Sequence, residues 1–488
     1  MFAFDNSYAR LPERFYARLA PSKVAAPRLI RVNAPLAHEL GIDPNWLDSA
    51  DGVAALSGNY LPEGADPLAM AYAGHQFGHF VPQLGDGRAI LLGEVQAHDG
   101  TRYDIHLKGS GRTPFSRNGD GRAALGPVLR EYIVSEAMHA LGIPTTRTLA
   151  AVTTGEYILR EQGPLPGAVL ARVSGSHVRV GTFQYFAAGG DVEGVRILAD
   201  YVIDRLYPKA MLTANPALAL LESVIARTAE LIARWQCVGF IHGVMNTDNT
   251  SIAGETIDYG PCAFMDSYSP ATVFSSIDHH GRYAYDQQPR IAWWNLTRFA
   301  ETLLPLLGEG EERAAAAQKA LDTYPTLFEA AYAECLRAKF GFTQSRDEDL
   351  RSIQDFFGLM AEARADFTLT FRHLCDSAEG NDATLRTLFK DQAALEAWLG
   401  NWRGRLAAEQ TISPQQRKIA MRAVNPAYIP RNHRVEAVIA AAYQTGDFAP
   451  FEELLDVLST PYMDRPEFAR YADPPSADEI VRQTFCGT

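Results

Sequence analysis

The chain has 488 residues, of which 47% are apolar and 21% charged, with a formal net charge of −13. That length suggests two large lobes or about three domain-sized units, with ample material for a core. The acidic balance argues against broad nucleic-acid binding, no apolar run approaches the roughly 20 residues that span a bilayer, and the N-terminus lacks the pattern of a secretion signal. Five cysteines without CxxC spacing indicate neither a disulfide framework nor a zinc site, so a reducing, cytoplasmic setting is expected.

Short strand-like runs fill the first 180 residues or so. In GHQFGHF, His75 and His79 have the spacing of two helix-borne zinc ligands. Gln76 stands where a zinc protease carries its glutamate, however, and Gly74 and Gly78 weaken a helix, which favours a structural role. Asp86 and Asp120 sit in Asp-Gly pairs, which are usual turn formers, with a second metal site as the alternative reading. Residues 89–96, AILLGEVQ, read as a buried strand. Residues 103–108 alternate, with Asp104, His106 and Lys108 on one face. A loop, GSGRTPFSRNGDGRAALG, leads into a helix at about 126–141 that carries Glu131 and Glu136. Segments 156–160 and 167–174 read as a further strand pair.

From about 190 helices dominate. The strongest is 221–235, with apolar residues at helical spacing. Others are expected at 291–306, 311–340, 347–375, 384–410 and 433–457. The order predicts an α+β protein, with a small sheet-bearing lobe over 1–185 and a helical lobe over 186–488.

The stretch FIHGVMNTDNTSIAGETIDYG (240–260) carries the most chemistry. TSIA and TID flank Gly254-Glu255, which reads as a tight hairpin that brings Asn249 close to Asp258. An amide oxygen and a carboxylate converging there suit Mg²⁺, which takes one or two protein carboxylates together with substrate phosphates. A protein kinase needs a strand lysine on the phosphates, a helix glutamate to hold it, and an Asn and an Asp for metal. Lys108, Glu131 or Glu136, Asn249 and Asp258 occur in that order, with Glu131 the preferred partner of Lys108. The kinase's proton-accepting aspartate, two residues after the loop histidine, is replaced by Val244, which accepts no proton. Asp248 is the nearest carboxylate that could take over.

These motifs resemble those of protein kinase-like folds, with IDYG in place of Asp-Phe-Gly. The segments AYAGHQFGHFVPQLGDGRAILLGE, DIHLKGSGRTPFSRNGDGRAALGPVLREYIVSEAMHALGIPTTR, ARVSGSHVRVGTFQYF, HGVMNTDNTSIAGETIDYGP and NPAYIPRNHRVE are similar to the selenoprotein O family of pseudokinases. The resemblance implies a bilobal kinase-like fold with a C-terminal helical extension and an adenylyltransferase activity. It implies ATP lying inverted, with its tail in a basic pocket, its α-phosphorus facing a protein Ser, Thr or Tyr hydroxyl, and pyrophosphate leaving. Asp248 would be the proton acceptor, and Asn249 and Asp258 would hold Mg²⁺, with Mn²⁺ as an alternative. Carried over by motif, the nucleotide contacts are Gly85, Gly87, Arg88, Lys108, Asp120, Gly121, Arg172, Arg179 and Asp258.

Arg112, Arg117 and Arg122 lie among glycines, a basic cluster out of character for this acidic chain and suited to phosphate. A monomer is expected, with no nucleic-acid or membrane partner. A phosphotransferase with Asp248 as base, and a non-catalytic ATP-binding pseudokinase, are the competing readings. Asp278-His279-His280 is read as a loop packed by its neighbours, and NPAYIPRNHRVE as packing rather than a phosphate contact. Cys486 matches the family's selenocysteine position, and a disulfide with Cys262 is a lesser expectation.

Overall fold

The computed structural model describes every residue except Gln162, Gln410, Thr411, Gln483 and 485–488. Its main sheet is antiparallel throughout. The strands are β1 (Tyr16–Arg18), β2 (Arg28–Val32), β3 (Leu68–Met70), β6 (Ala89–Gln96), β7 (Arg102–Lys108), β8 (Ala123–Ala124), β9 (Arg147–Arg160) and β10 (Gly163–Ser174). They run in the order β1-β3-β6-β7-β10-β9-β2, with β8 on the edge of β10. Two small hairpin-like pairs lie outside it, β4 (Gly74–Gln76) with β5 (His79–Val81), and β11 (Phe240–Ile241) with β12 (Ala263–Phe264).

The strand with an unbroken apolar run, β6, is buried along nearly its whole length. Its neighbour β7 alternates as the sequence predicts, but both of its faces are buried. Ile105 and Leu107 join an apolar cluster with Leu92, Val152 and Val169, while the polar face carries Asp104, His106 and Lys108. Each buried aliphatic side chain there contributes about 1.5–3 kcal/mol. A polar face inside a protein must be matched by partners, and these residues form one wall of the site.

The expected helix near 126 runs Leu125–Ala140, and the strongest amphipathic pattern becomes Pro216–Val238. In the latter, the Asn215 side chain accepts from the Leu218 N–H at 3.0 Å and Pro216 opens the first turn. Such a cap is worth about 1 kcal/mol. Four of the long helical patterns divide in two. The 311–340 pattern becomes Glu312–Leu321 and Tyr324–Lys339, restarting at a proline in the first turn. The 347–375 pattern breaks at Arg364 (φ +52) and restarts where Asp366 caps Leu369. Asp391 likewise caps Gln392–Ala407, and Gly446 separates Asn432–Thr445 from Ala449–Leu458. No helix among the described residues is long and apolar enough to cross a membrane.

The hairpin expected around Gly254-Glu255 is a correction. Gly254 does turn the chain, but the two arms pair with other segments, Ser251 with Arg179 and Thr256 with Thr145. Beside the turn bond of Gly254 N–H to the Ser251 carbonyl, backbone groups of this loop bond to other segments, Ile252 N–H to the Val178 carbonyl and Thr256 N–H to the Pro144 carbonyl.

Candidate active site

Register places the cationic wall. Arg172 on β10 lies directly across from His106 on β7, and Lys108 follows on the same face. Lys108 Nζ donates to Glu131 Oε2 at 2.5 Å and to Asp258 Oδ1 at 2.9 Å. Arg172 Nη1 reaches Asp258 Oδ1 at 2.6 Å and Glu131 Oε1 at 3.3 Å. Arg179 Nη1 bridges Asp258 Oδ2 (2.8 Å) and the Asp248 backbone oxygen (2.7 Å). Three cations thus converge on one carboxylate. Burial works against its ionisation, but Lys108, Arg172 and Arg179 hold the Asp258 carboxyl well below the usual range. Asp258 itself adopts φ +63, a conformation that Asp accepts more readily than most residues.

The choice left open between two glutamates resolves to Glu131. Glu136, one and a half turns on, is held by Arg147 at 2.8 and 2.9 Å and by the Thr148 N–H.

Asp248 sits in a single turn of 3-10 helix, Thr247–Asn249, under the β4–β5 pair. Three consecutive residues of β4 and its turn hold that loop. His75 N–H donates to Thr247 Oγ1 (2.7 Å), Gln76 Nε2 to Asp248 Oδ2 (3.2 Å), and Phe77 N–H to Asn246 Oδ1 (3.1 Å). Gly74 is required by proximity, since a Cβ there would lie 2.5 Å from Asp248 Oδ1. Among the described residues that Oδ1 is buried without a hydrogen-bond partner. Burial raises the Asp248 carboxyl to about 6, with the Gln76 hydrogen bond and Arg179 opposing. Asn249 donates its amide nitrogen to the Val244 carbonyl at 3.0 Å, which leaves the amide oxygen as its uncommitted end. His242 is fully buried, bonded through Nε2 to the Ile257 carbonyl and stacked on Trp235, so it has a structural role.

Gly85, Gly87 and Gly121 belong to two turns, the first leading into β6 and the second into β8. Asp86, between the first two, is buried and accepts from Met70 N–H (3.0 Å) and shares a bond with His106 Nε2 (3.1 Å). Asp120 is half-exposed, forked by Arg160 at 2.7 and 3.1 Å, and caps the Arg122 N–H. Both are committed to protein partners, and no group of three or more metal-binding side chains occurs among the described residues. Arg122 is spent on the Ser22 and Lys23 carbonyls. Arg88, Arg112 and Arg117 meet no carboxylate among the described residues.

His106 is the residue that sequence reasoning passed over. Its Nδ1 lies 3.0 Å from Arg172 Nη2 and its Nε2 faces Asp86, so it links the first glycine turn to the guanidinium on Asp258. The signal was present, because His106 shares the polar face of β7 with Lys108. Gln76 was weighed only as a missing zinc-protease glutamate, and its role on Asp248 depends on a contact far along the chain.

His75 and His79 lie on paired strands, not a helix, and His75 Nδ1 meets Gln184. Asp278 accepts the Arg282 and Tyr283 N–H groups while His279 and His280 face solvent. Arg431 is buried against Asp366 and Asp266, which makes its segment packing. Cys486 lies outside the described residues.

A carboxylate caged by three cations, glycine turns flanked by guanidinium groups that meet no carboxylate among the described residues, and a second, buried carboxylate together form the candidate site. The family model for protein adenylyltransferase SelO matches residues 1–459, and the chain belongs to that family of protein nucleotidyltransferases. Among its relatives, "Protein nucleotidyltransferase YdiU" of Rhodopseudomonas palustris (strain BisB5) is 64% identical over 493 residues, covering 100% of this chain and 99% of the relative. The protein of the same name from Bradyrhizobium diazoefficiens is 63% identical over 490 residues with the same coverage.

Proposed function

We propose that this enzyme transfers AMP from ATP to Ser, Thr or Tyr hydroxyls of other proteins, from a kinase-like bilobal fold with lobes 1–185 and 186–488. The observation that carries this reading is the contrast between Asp258, wrapped in cations, and Asp248, buried and with one oxygen unpartnered among the described residues. In the reaction, Asp248 accepts the proton as the acceptor oxygen attacks the α-phosphorus. The bond from that phosphorus to the bridging oxygen breaks, and pyrophosphate leaves. At a carboxyl of about 6, Asp248 is ionised at neutral pH yet basic enough to take a proton.

Asn249 and Asp258 would hold Mg²⁺, since an amide oxygen and a carboxylate are hard oxygen donors, and the ion would neutralise phosphate charge. Lys108, Arg172 and Arg179 then have phosphate oxygens to bind as well as Asp258. Arg88, Arg112 and Arg117, which meet no carboxylate among the described residues, suit the terminal phosphates in an inverted orientation. The turns holding Gly85, Gly87, Asp120 and Gly121 would contact the nucleotide through backbone.

The deciding experiment incubates the enzyme and an acceptor protein with Mg²⁺ and ATP labelled at either the α- or the γ-phosphate. Label from the α-position alone is expected on the acceptor. Label from the γ-position would make the enzyme a phosphotransferase, and metal-dependent binding without any product would make it a non-catalytic pseudokinase.

A further inference from the structure

Among the described residues, 425–436, NPAYIPRNHRVE, make no hydrogen bond to Lys108, Glu131, Asp248 or Asp258, yet two adjacent residues in them bond beside both the Glu131 and the Asp258 sides of the site. Arg431, almost fully buried, pairs with Asp266 on the chain that descends from Asp258, and its Nη1 and Nη2 fork Asp366 at 2.8 and 3.1 Å. The Asp366 segment is fastened to the same chain, because Phe367 N–H donates to the Asp266 carbonyl at 2.7 Å. Asn432 turns the other way. Its Oδ1 accepts from Arg130 Nη1 at 2.8 Å, and Glu436, one turn later, pairs with Nη2 of the same guanidinium. Arg130 precedes Glu131, the residue that holds Lys108.

The helix Asn432–Thr445 continues this contact along the back of Leu125–Ala140. Tyr443 Oη accepts the Gly126 N–H at 2.9 Å, one of the first-turn donors that a helix cannot satisfy internally. The approach is close enough to exclude a side chain, since a Cβ on Gly126 would lie 2.7 Å from that oxygen and 2.9 Å from Ile439. Leu129, Tyr132 and Ile133 pack with Val435, Val438 and Phe451 in one buried cluster, with the Tyr132 and Phe451 rings edge to face at 5.3 Å. The inner face of the same helix presents Glu131 to Lys108 and Arg172.

We infer that this C-terminal segment is a clasp that sets the position of Glu131 relative to Asp258, with Arg130, Asn432, Glu436 and Tyr443 as positioning residues for the nucleotide site. A helix free to pivot would carry Glu131 off Lys108, leaving the ammonium group to collapse further onto Asp258. The clasp opposes this by tying the outer face of the helix to the chain that bears Asp258. The inference rests on the reading of Lys108 and Glu131 as a phosphate-holding pair.

The test is a double-mutant cycle in the full-length enzyme, reading the affinity for Mg-ATP together with the rate of AMP transfer. Asn432→Ala with Glu436→Ala is expected to weaken Mg-ATP binding about ten-fold in the presence of Glu131, but less than about two-fold in a Glu131→Gln background, because residues acting through one another are not additive. Should the double variant not fold, Tyr443→Phe removes one hydroxyl and is expected to give a smaller loss with the same dependence on Glu131. A loss of equal factor in both backgrounds, or none in either, overturns the clasp while leaving the site reading intact. An unaltered enzyme that bound no Mg-ATP would overturn both.

Discussion

Asp258 and Asp248 stand on the same short loop and touch the same arginine, yet their carboxyls are pushed in opposite directions. Asp258 keeps a fifth of its side chain exposed and has three cations within hydrogen-bonding distance. Asp248 is buried, with one side-chain amide for company and, among the described residues, no partner for its other oxygen. The difference shows that burial alone does not set a carboxylate's role. Where positive charge outweighs desolvation the group stays ionised and serves as a charge anchor, and where it does not the group becomes a usable base.

Removing the anchor gives the largest effect. Asp258→Ala is expected to abolish AMP transfer, measured with α-labelled ATP. It also leaves Lys108, Arg172 and Arg179 facing one another with one counter-charge fewer, a loss of about 3–5 kcal/mol expected from breaking a buried ion cluster. Chemical denaturation of the metal-free protein reads this directly, and an unchanged midpoint would show that the cage contributes nothing to stability.

Removing the base has opposite consequences for activity and stability. Asp248→Asn should lower the transfer rate by about 10²–10⁴-fold. Because its folded carboxyl is raised from 3.8 to about 6, the ionised form is disfavoured in the native state, so stability is lower at pH 7–8 and recovers as pH falls through 6 towards 4. The neutral amide avoids that cost, up to about 3 kcal/mol for a shift of this size. A destabilised Asp248→Asn protein at pH 8 would sink the contrast drawn above. In the unaltered enzyme, transfer should decline on the acid side with a midpoint near 6, an arm absent from Asp248→Asn.

The smallest change tests the hairpin. Gly74→Ala places a methyl group 2.5 Å from Asp248 Oδ1, so the base or β4 must move. Misplacement by a few tenths of an ångström is expected to cost about ten-fold in the rate of transfer, with Mg-ATP affinity kept. Loss of nucleotide affinity instead would mean that the hairpin serves the cationic side.

Much of this was written locally. β6, β7 and the helices at 125 and 216 are each announced by apolar spacing and by a cap or a breaker at one end. Lys108 is legible because a lysine closing an alternating strand is a short-range pattern, whereas its contact with Asp258 joins residues 150 positions apart. The divided helices were not legible, since an Asp cap or a positive φ at Arg364 can be tolerated within an apolar rhythm until packing decides. The supposed hairpin failed because Ser251 and Thr256 found partners outside their own segment.

By itself, the order of residues determined which elements form and which side chains carry charge on each. Only tertiary structure chose Glu131 over Glu136, brought Gln76 to Asp248, and set Asn432 against Arg130 from the far end of the chain. The physical reason is that spacing along a strand or helix fixes the face a residue occupies. The partner met on that face depends on how the faces pack, and the balance of desolvation against neighbouring charge that separates Asp248 from Asp258 exists only once they have packed.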